Sequence, residues 1–222
     1  MSIHLLRAID LLKKKIMVVG THVEESVRDA TRALDERDAN LARRICDNDD
    51  IIDELEVEIE EECLKMLALY QPVATDLRFI IAVLKINNDL ERIGDLAVNI
   101  AERAIYLSTQ PPVKINFDFH SMANKTQTML SKALDALVNG DVQLAREVCV
   151  SDDEVDNLNR EMYLQVQEGG KDCPEQMELL IHMLSVSRHL ERIADLATNI
   201  AEDVIYMARG EIVRHRLEDY LA

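Results

Sequence analysis

The chain has 222 residues, with 42 acidic side chains against 25 basic ones and a formal net charge of −17. Such a chain repels nucleic acid, and it contains no Lys/Arg run of the length that a nucleic-acid patch uses. Low Gly, Pro and aromatic content beside frequent Leu, Ile, Ala, Glu and Arg is the composition of a helical bundle.

Apolar residues at 3–4 spacing predict a first helix from about Ile3 to Asp35, with Leu5, Ile9, Leu12, Ile16, Val19, Val23, Ala30 and Leu34 on its buried stripe. Arg7, Asp10 and three lysines interrupt its start, so it lacks the clean apolar core of a signal peptide. Asp38 reads as the N-cap of a second helix that carries Leu41, Ile45, Ile52, Leu55, Ile59 and Leu67 and ends near Tyr70, ahead of Pro72. A third helix runs from about Val73 to Ser108. These three make a first repeat, residues 1–110, and a linker with Pro111 and Pro112 follows at 111–118. The second repeat, 119–209, has a fourth helix over about Phe119 to Val138 and a fifth that follows the N-cap Asp141 and stops at Gly169-Gly170. A sixth helix runs from near Pro174 to about Ala208. Residues 210–222 are a short charged tail, read as one or two more helical turns. No stretch approaches the ~18 uninterrupted apolar residues of a transmembrane helix. The expectation is a cytoplasmic, all-α protein of six long helices, built as two tandem pseudo-symmetric three-helix bundles.

The repeat is visible in the letters. LERIGDLAVNIAERAIY at 90–106 returns as LERIADLATNIAEDVIY at 190–206, changed only at Gly94/Ala194, Val98/Thr198, Arg103/Asp203 and Ala104/Val204. Upstream, Asp38, Leu41, Ala42, Cys46, Asp49, Asp50, Asp53 and Leu55 match Asp141, Leu144, Ala145, Cys149, Asp152, Asp153, Asp156 and Leu158.

Each copy of the motif carries a Glu and an Asp four apart, Glu91 with Asp95 and Glu191 with Asp195. On a helix such residues share a face, and neighbouring carboxylates repel unless a proton or cation lies between them. Asn99 and Asn199 continue that face. Folding the second and third helices back on each other at Tyr70-Gln71 sets Glu91 level with about Asp50 and Asp95 level with about Cys46, with Asp49, Asp50 and Asp53 in that zone. The same reflection near Gly170-Lys171 sets Glu191 and Asp195 level with about Asp152 and Glu147. Glu24, Glu25 and Asp29 reach the same level on the first helix. Depth says nothing of facing, so solvated faces or packing between the halves compete with a chelate. If the acids converge, oxygen donors in this number favour Mg, Ca, Mn or iron over a thiolate-seeking metal, at two sites related by the pseudo-twofold. The candidate ligands are Glu91, Asp95, Asn99, Asp49 and Asp53, and Glu191, Asp195, Asn199, Asp152 and Asp156.

Little else suggests chemistry. Cys46, Cys63, Cys149 and Cys173 form no Cys-x-x-Cys and read as small buried residues. The six histidines share no ligand spacing and read as surface or capping residues. There is no Glu-x-x-His pair, Gly-rich phosphate loop or nucleophile elbow, which weighs against a metal-dependent bundle oxidase or hydrolase.

With the repeats laid out, the chain resembles the PhoU family of phosphate-regulon proteins. The resemblance rests on QPVATDLRFI at Gln71–Ile80, NDLERIGDLAVNIAE and RHLERIADLATNIAE in the third and sixth helices, and DNDDIIDELE at Asp47–Glu56. PEQMELLIHM, Pro174 to Met183, departs from it by lacking an equivalent of Asp76-Leu77-Arg78, and Asp76 with Arg78 reads as a structural ion pair. The resemblance implies two three-helix bundles and no enzymatic activity. It implies metal ions (iron, zinc, manganese or magnesium) on Glu91 with Asp95 and Glu191 with Asp195. It further implies a cytoplasmic homodimer that negatively regulates phosphate uptake and phosphate-starvation signalling, between the phosphate ABC transporter ATPase and a membrane sensor histidine kinase. A purely structural helical adaptor is the competing reading.

Overall fold

The computed structural model describes residues 3–113, 118–211 and 213. Among them the chain is α-helical throughout: α1 (Ile3–Asp35), α2 (Ala39–Asp47), α3 (Asp50–Tyr70), α4 (Ala74–Ser108), α5 (Phe119–Asn139), α6 (Val142–Asp172) and α7 (Met177–Arg209), with a single 3-10 turn at Pro174–Gln176. No described helix is long and apolar enough to cross a membrane.

α1, the α2–α3 rod and α4 make one antiparallel bundle; α5, α6 and α7 make the other. The halves meet where α4 packs along α7, and α1 packs on α5. The inward stripe of α4 is Ile86, Leu90, Ile93, Ala97, Ile100 and Ala104, and that of α7 is Val186, Leu190, Ile193, Ala197, Ile200 and Val204, all buried. Alternating large and small side chains at 3–4 spacing let the two motif helices serve their own bundle and each other. One continuous apolar core results. On the opposite face Gly20 of α1 lets Leu134 of α5 come close, and Gln127 Nε2 donates to Thr31 Oγ1 at 2.7 Å.

The turns repeat with altered chemistry. Asp38 and Asp141 cap their helices alike, accepting from Asn40 and Leu41 N–H and from Gln143 and Leu144 N–H at 2.9–3.0 Å. The residue before each cap is left-handed: Gly140 at φ 63° and Arg37 at φ 55°. Arginine accepts the strain at that position and its guanidinium donates to the carbonyls of Leu107 and Gln110, closing the end of α4.

Four local readings are corrected. The second rod is not continuous: it breaks after Asp47, where Asn48 (φ −100°, ψ 1°) leaves helical geometry and α3 restarts at Asp50. Asn and Asp compete for backbone hydrogen bonds and disfavour helix interiors. The repeat's counterpart, α6, runs unbroken through Ser151-Asp152. Gly169-Gly170 do not end α6, which continues to Asp172; both glycines are buried, and at Gly170 an added Cβ would collide with Met177. Gly170 thus makes room for the end of the Met177 side chain. Asp76 and Arg78 form no ion pair, since residues two apart lie on different helix faces; the Arg78 guanidinium instead lies beside Gly210 at the end of α7. His189 is half-buried rather than a surface residue, and His182 stacks on Tyr106 at 4.1 Å between ring centroids. Part of the 111–118 linker, His215 and most of the 210–222 tail lie outside the described residues.

Candidate metal centre

Packing of α3 on α4 is registered by a polar contact one turn below the motif. Asn87, buried, donates through Nδ2 to the Glu56 carbonyl at 2.9 Å. The second half keeps the contact in other residues, with Ser187 Oγ donating to Asn159 Oδ1 at 2.5 Å. One turn further along α4 is Glu91, and there the restart of α3 leans onto Gly94: Asp49 Oδ1 lies 3.7 Å, and Ile52 Cδ1 3.1 Å, from where a Gly94 Cβ would be.

This brings the acids of two helices together in each half. Burial and the charges of Asp53, Asp95 and Asp50 push the Asp49 carboxyl up to about 6. Glu91 is raised by burial and by Asp95, Asp53, Glu56 and Asp49. The second half matches: burial and Asp195, Asp156, Asp153 and Glu191 push Asp152 up to about 6. Glu191 is raised by burial, Asp195 and Asp156, against Arg192 and Arg188. Asp195 is raised by burial and Asp156, against Arg192. The structure therefore gathers Asp49, Asp53, Glu91 and Asp95 in one half and Asp152, Asp156, Glu191 and Asp195 in the other. Glu56 joins the first quartet. Its raised carboxyl and its place on α3 mark it, but its repeat counterpart is Asn159, so the repeat could not disclose it.

The remaining acids go elsewhere. Glu24 and Glu25 line a cleft between α1 and α5. Asp29 faces α2 and pairs with Arg28 and Arg32 at 3.5 and 3.3 Å. Glu147 pairs with Lys132 at 3.3 Å. Asp50 and Asp153 act on the quartets only through their charge. Asn99 donates to the Asp95 carbonyl at 2.8 Å, and with Asn199 it lines a cleft of about 420 Å³ between the halves. Its other walls are Arg92, Asp95, Leu96, Arg192, Asp195 and Leu196, so α4 and α7 contribute the same four positions each.

Among the described residues no three Asp, Glu, His or Cys side chains are arranged to hold a metal ion as they stand. The donor chemistry nonetheless suits a hard cation. Each quartet holds carboxylates that repel one another, and a cation there cancels the repulsion. Cysteine does not contribute: Cys149 is pushed up to about 12 by burial and by Glu202 and Asp152, which keeps it a thiol.

A family model described as PhoU domain matches residues 16–104 and 119–204. The chain is 39% identical to the phosphate-specific transport system accessory protein PhoU homolog of Aquifex aeolicus, over 96% of both chains. It is 37% identical to the Pseudomonas aeruginosa homolog, over 92% of this chain and 85% of that one. Two crystal structures share the architecture. PhoU from P. aeruginosa superposes with a TM-score of 0.90 at 35% identity, covering 92% of this chain and 99% of that one. The phosphate transport system regulatory protein PhoU from Streptococcus pneumoniae gives 0.81 at 28% identity, covering 94% and 99%.

Proposed function

The chain belongs to the PhoU family of phosphate-specific transport accessory proteins, and on that premise we propose that it is a non-enzymatic, cytoplasmic negative regulator of phosphate uptake and phosphate-starvation signalling. Its partners in this reading are the ATPase of the phosphate ABC transporter and the sensor histidine kinase, and it acts as a homodimer. The observation that carries the metal part is the pair of carboxylate quartets, matched residue for residue between the halves. Glu91, Asp95, Asp49 and Asp53 hold cations in one half and Glu191, Asp195, Asp152 and Asp156 in the other, with Asn99 and Asn199 as neutral oxygen donors. Iron, zinc, manganese or magnesium supplies positive charge there and turns an acidic face into one that an acidic partner surface tolerates.

The second reading is a metal-free helical adaptor, favoured by the lack of a formed coordination sphere among the described residues. One experiment separates them. In a host deleted for the regulator, wild-type protein restores repression of a phosphate-starvation reporter and co-purifies the transporter ATPase. Under the metal reading, a variant with Glu91, Asp95, Glu191 and Asp195 all changed to Ala loses both. Full repression and ATPase capture by that variant, folded and metal-free, would select the adaptor.

A further inference from the structure

The groove between α4 and α7 is symmetric in shape and asymmetric in charge. Opposed residues follow the pseudo-twofold, with Asn199 across from Arg92, Asn99 across from Arg192, and Tyr206 across from Lys85. At the first-half end the walls are Lys85, Asn88, Asp89 and Arg92 of α4 and Asp195, Thr198, Asn199 and Glu202 of α7, around a cavity of about 590 Å³. Its cations are matched internally: Lys85 Nζ lies 3.0 Å from buried Asp203, and Arg92 lies 3.8 Å from Asp89. The equivalent positions at the other end hold Ser185, Arg188, His189, Arg192, Asp95, Val98, Asn99 and Glu102, and the counterpart of Asp203 there is Arg103.

Arg188 and Arg192 are one turn apart on α7 and share a face. Arg103 is one turn beyond Asn99 on α4, so the antiparallel packing that opposes Asn99 to Arg192 sets Arg103 level with Arg188. All three guanidinium groups act on the His189 ring. Among the described residues no carboxylate lies within 4.0 Å of any of the three, and Arg103 Nε is buried with no hydrogen-bond partner. Arg188 and Arg192 also act on Glu191, and Arg192 on Asp195, but among the described residues none of the three guanidinium groups closes an ion pair, and three of them in one place run against the trend of a chain of net charge −17.

We propose that the Arg103–Arg188–Arg192 end of the α4–α7 groove is an oxyanion site whose ligand is orthophosphate. Guanidinium forks match the oxygens of a tetrahedral anion and bind it through paired, charge-assisted hydrogen bonds. A small anion relieves the repulsion among three like charges, whereas the mirror end has already done so with Asp203 and Asp89. The oxyanion chemistry stands on the arginines alone; the choice of phosphate among oxyanions rests on the phosphate-transport reading above.

The test is calorimetric titration of the full chain with inorganic phosphate, and with sulfate as a second tetrahedral anion. It is repeated in Arg188→Ala, Arg103→Lys and the mirror-end control Arg92→Ala, each checked for helicity. The expected result is one phosphate per chain, weakened at least about tenfold by Arg188→Ala and by Arg103→Lys and within about twofold of wild type in Arg92→Ala. No phosphate or sulfate binding to wild type would overturn the site. So would equal weakening in all three variants. Loss of transporter ATPase capture in Arg188→Ala, with no phosphate bound by wild type, would also overturn it, by making the patch a protein contact. Phosphate bound as expected by a protein that captures no transporter ATPase would instead fail the regulatory reading and leave the site standing.

Discussion

Asp49 and Asp152 occupy one position in the two halves, and in both the carboxyl is pushed up from 3.8 to about 6 by burial and by neighbouring acids. The folded protein holds these protons more tightly than the unfolded chain. Stability without metal therefore falls as pH rises from about 4 through about 6 and levels off above. Glu91, Glu191 and Asp195 are raised too and act with the same sign. For Asp49 and Asp152 together the effect is on the order of 1 kcal/mol, allowing for the screening of half-exposed groups. Calorimetry on chelator-treated protein should find a Tm roughly 1 °C higher at pH 5.5 than at pH 7.5, an interval that spans only the upper part of that titration. Saturating Mg²⁺ or Mn²⁺ should raise the Tm at pH 7.5 and flatten the difference, because the cation displaces the protons. At this scale repetition pointed to the quartets, although Asp50 and Asp153 also repeat and act on them only through their charge. Asp29 and Glu147 shared only their depth, and they turn to Arg28 and Arg32 and to Lys132. Depth follows from helix length, while facing depends on how each helix is rotated in the packed bundle.

The elements differ between halves where small residues differ. Gly94 of α4 admits Ile52 and Asp49 at the restart of α3, whereas Ala194 faces an unbroken α6. Gly94→Ala removes the entropic cost of a helical glycine, up to about 1 kcal/mol, and sets it against the displacement of Ile52. The expected net change in stability is under about 1 kcal/mol. Ile52 Cδ1 at 3.1 Å must give by a few tenths of an ångström, while Asp49 Oδ1 at 3.7 Å is in ordinary contact, so cation affinity in both halves should stay within about twofold of wild type, as read by titration with Mn²⁺. Asp141 caps α6 through two backbone N–H groups; Asp141→Ala should lower the unfolding free energy by about 1 kcal/mol in urea, without altering metal content. Helix number, order and most ends were legible because each apolar stripe is long and regular. The break at Asn48 and the passage of α6 through Gly169-Gly170 were not. The first follows from Asn and Asp in a helix interior, a weak local signal that α6 overrides at Ser151-Asp152, and the second from a contact of Gly170 with Met177 that only the folded chain makes.

The whole molecule is two copies of one bundle sharing a single apolar core across α4 and α7. Inter-half contacts run the length of that seam, from Lys85 with Asp203 at one end to Tyr106 with Glu178 at 2.9 Å at the other. The halves should therefore unfold together, with calorimetric and van't Hoff enthalpies equal; two resolved transitions would show that the seam is not cooperative. Motif letters and their spacing revealed the repeat, but the charge asymmetry of the groove required the opposed pairs, Arg103 with Arg188 and Asp203 with Lys85, to be set level. The central claim is that each half carries its own cation site built from one Glu-x-x-x-Asp pair and the aspartates facing it. Its most direct test is elemental analysis of untagged protein after incubation with Mn²⁺, Mg²⁺, Zn²⁺ and ferric iron in turn. Wild type is set beside the Glu91→Ala/Asp95→Ala and Glu191→Ala/Asp195→Ala variants. Metal bound by wild type and lost by half in each variant, with helicity intact, is the predicted result. Wild-type protein that retains no metal from any of these incubations, or variants whose content does not change, would contradict it.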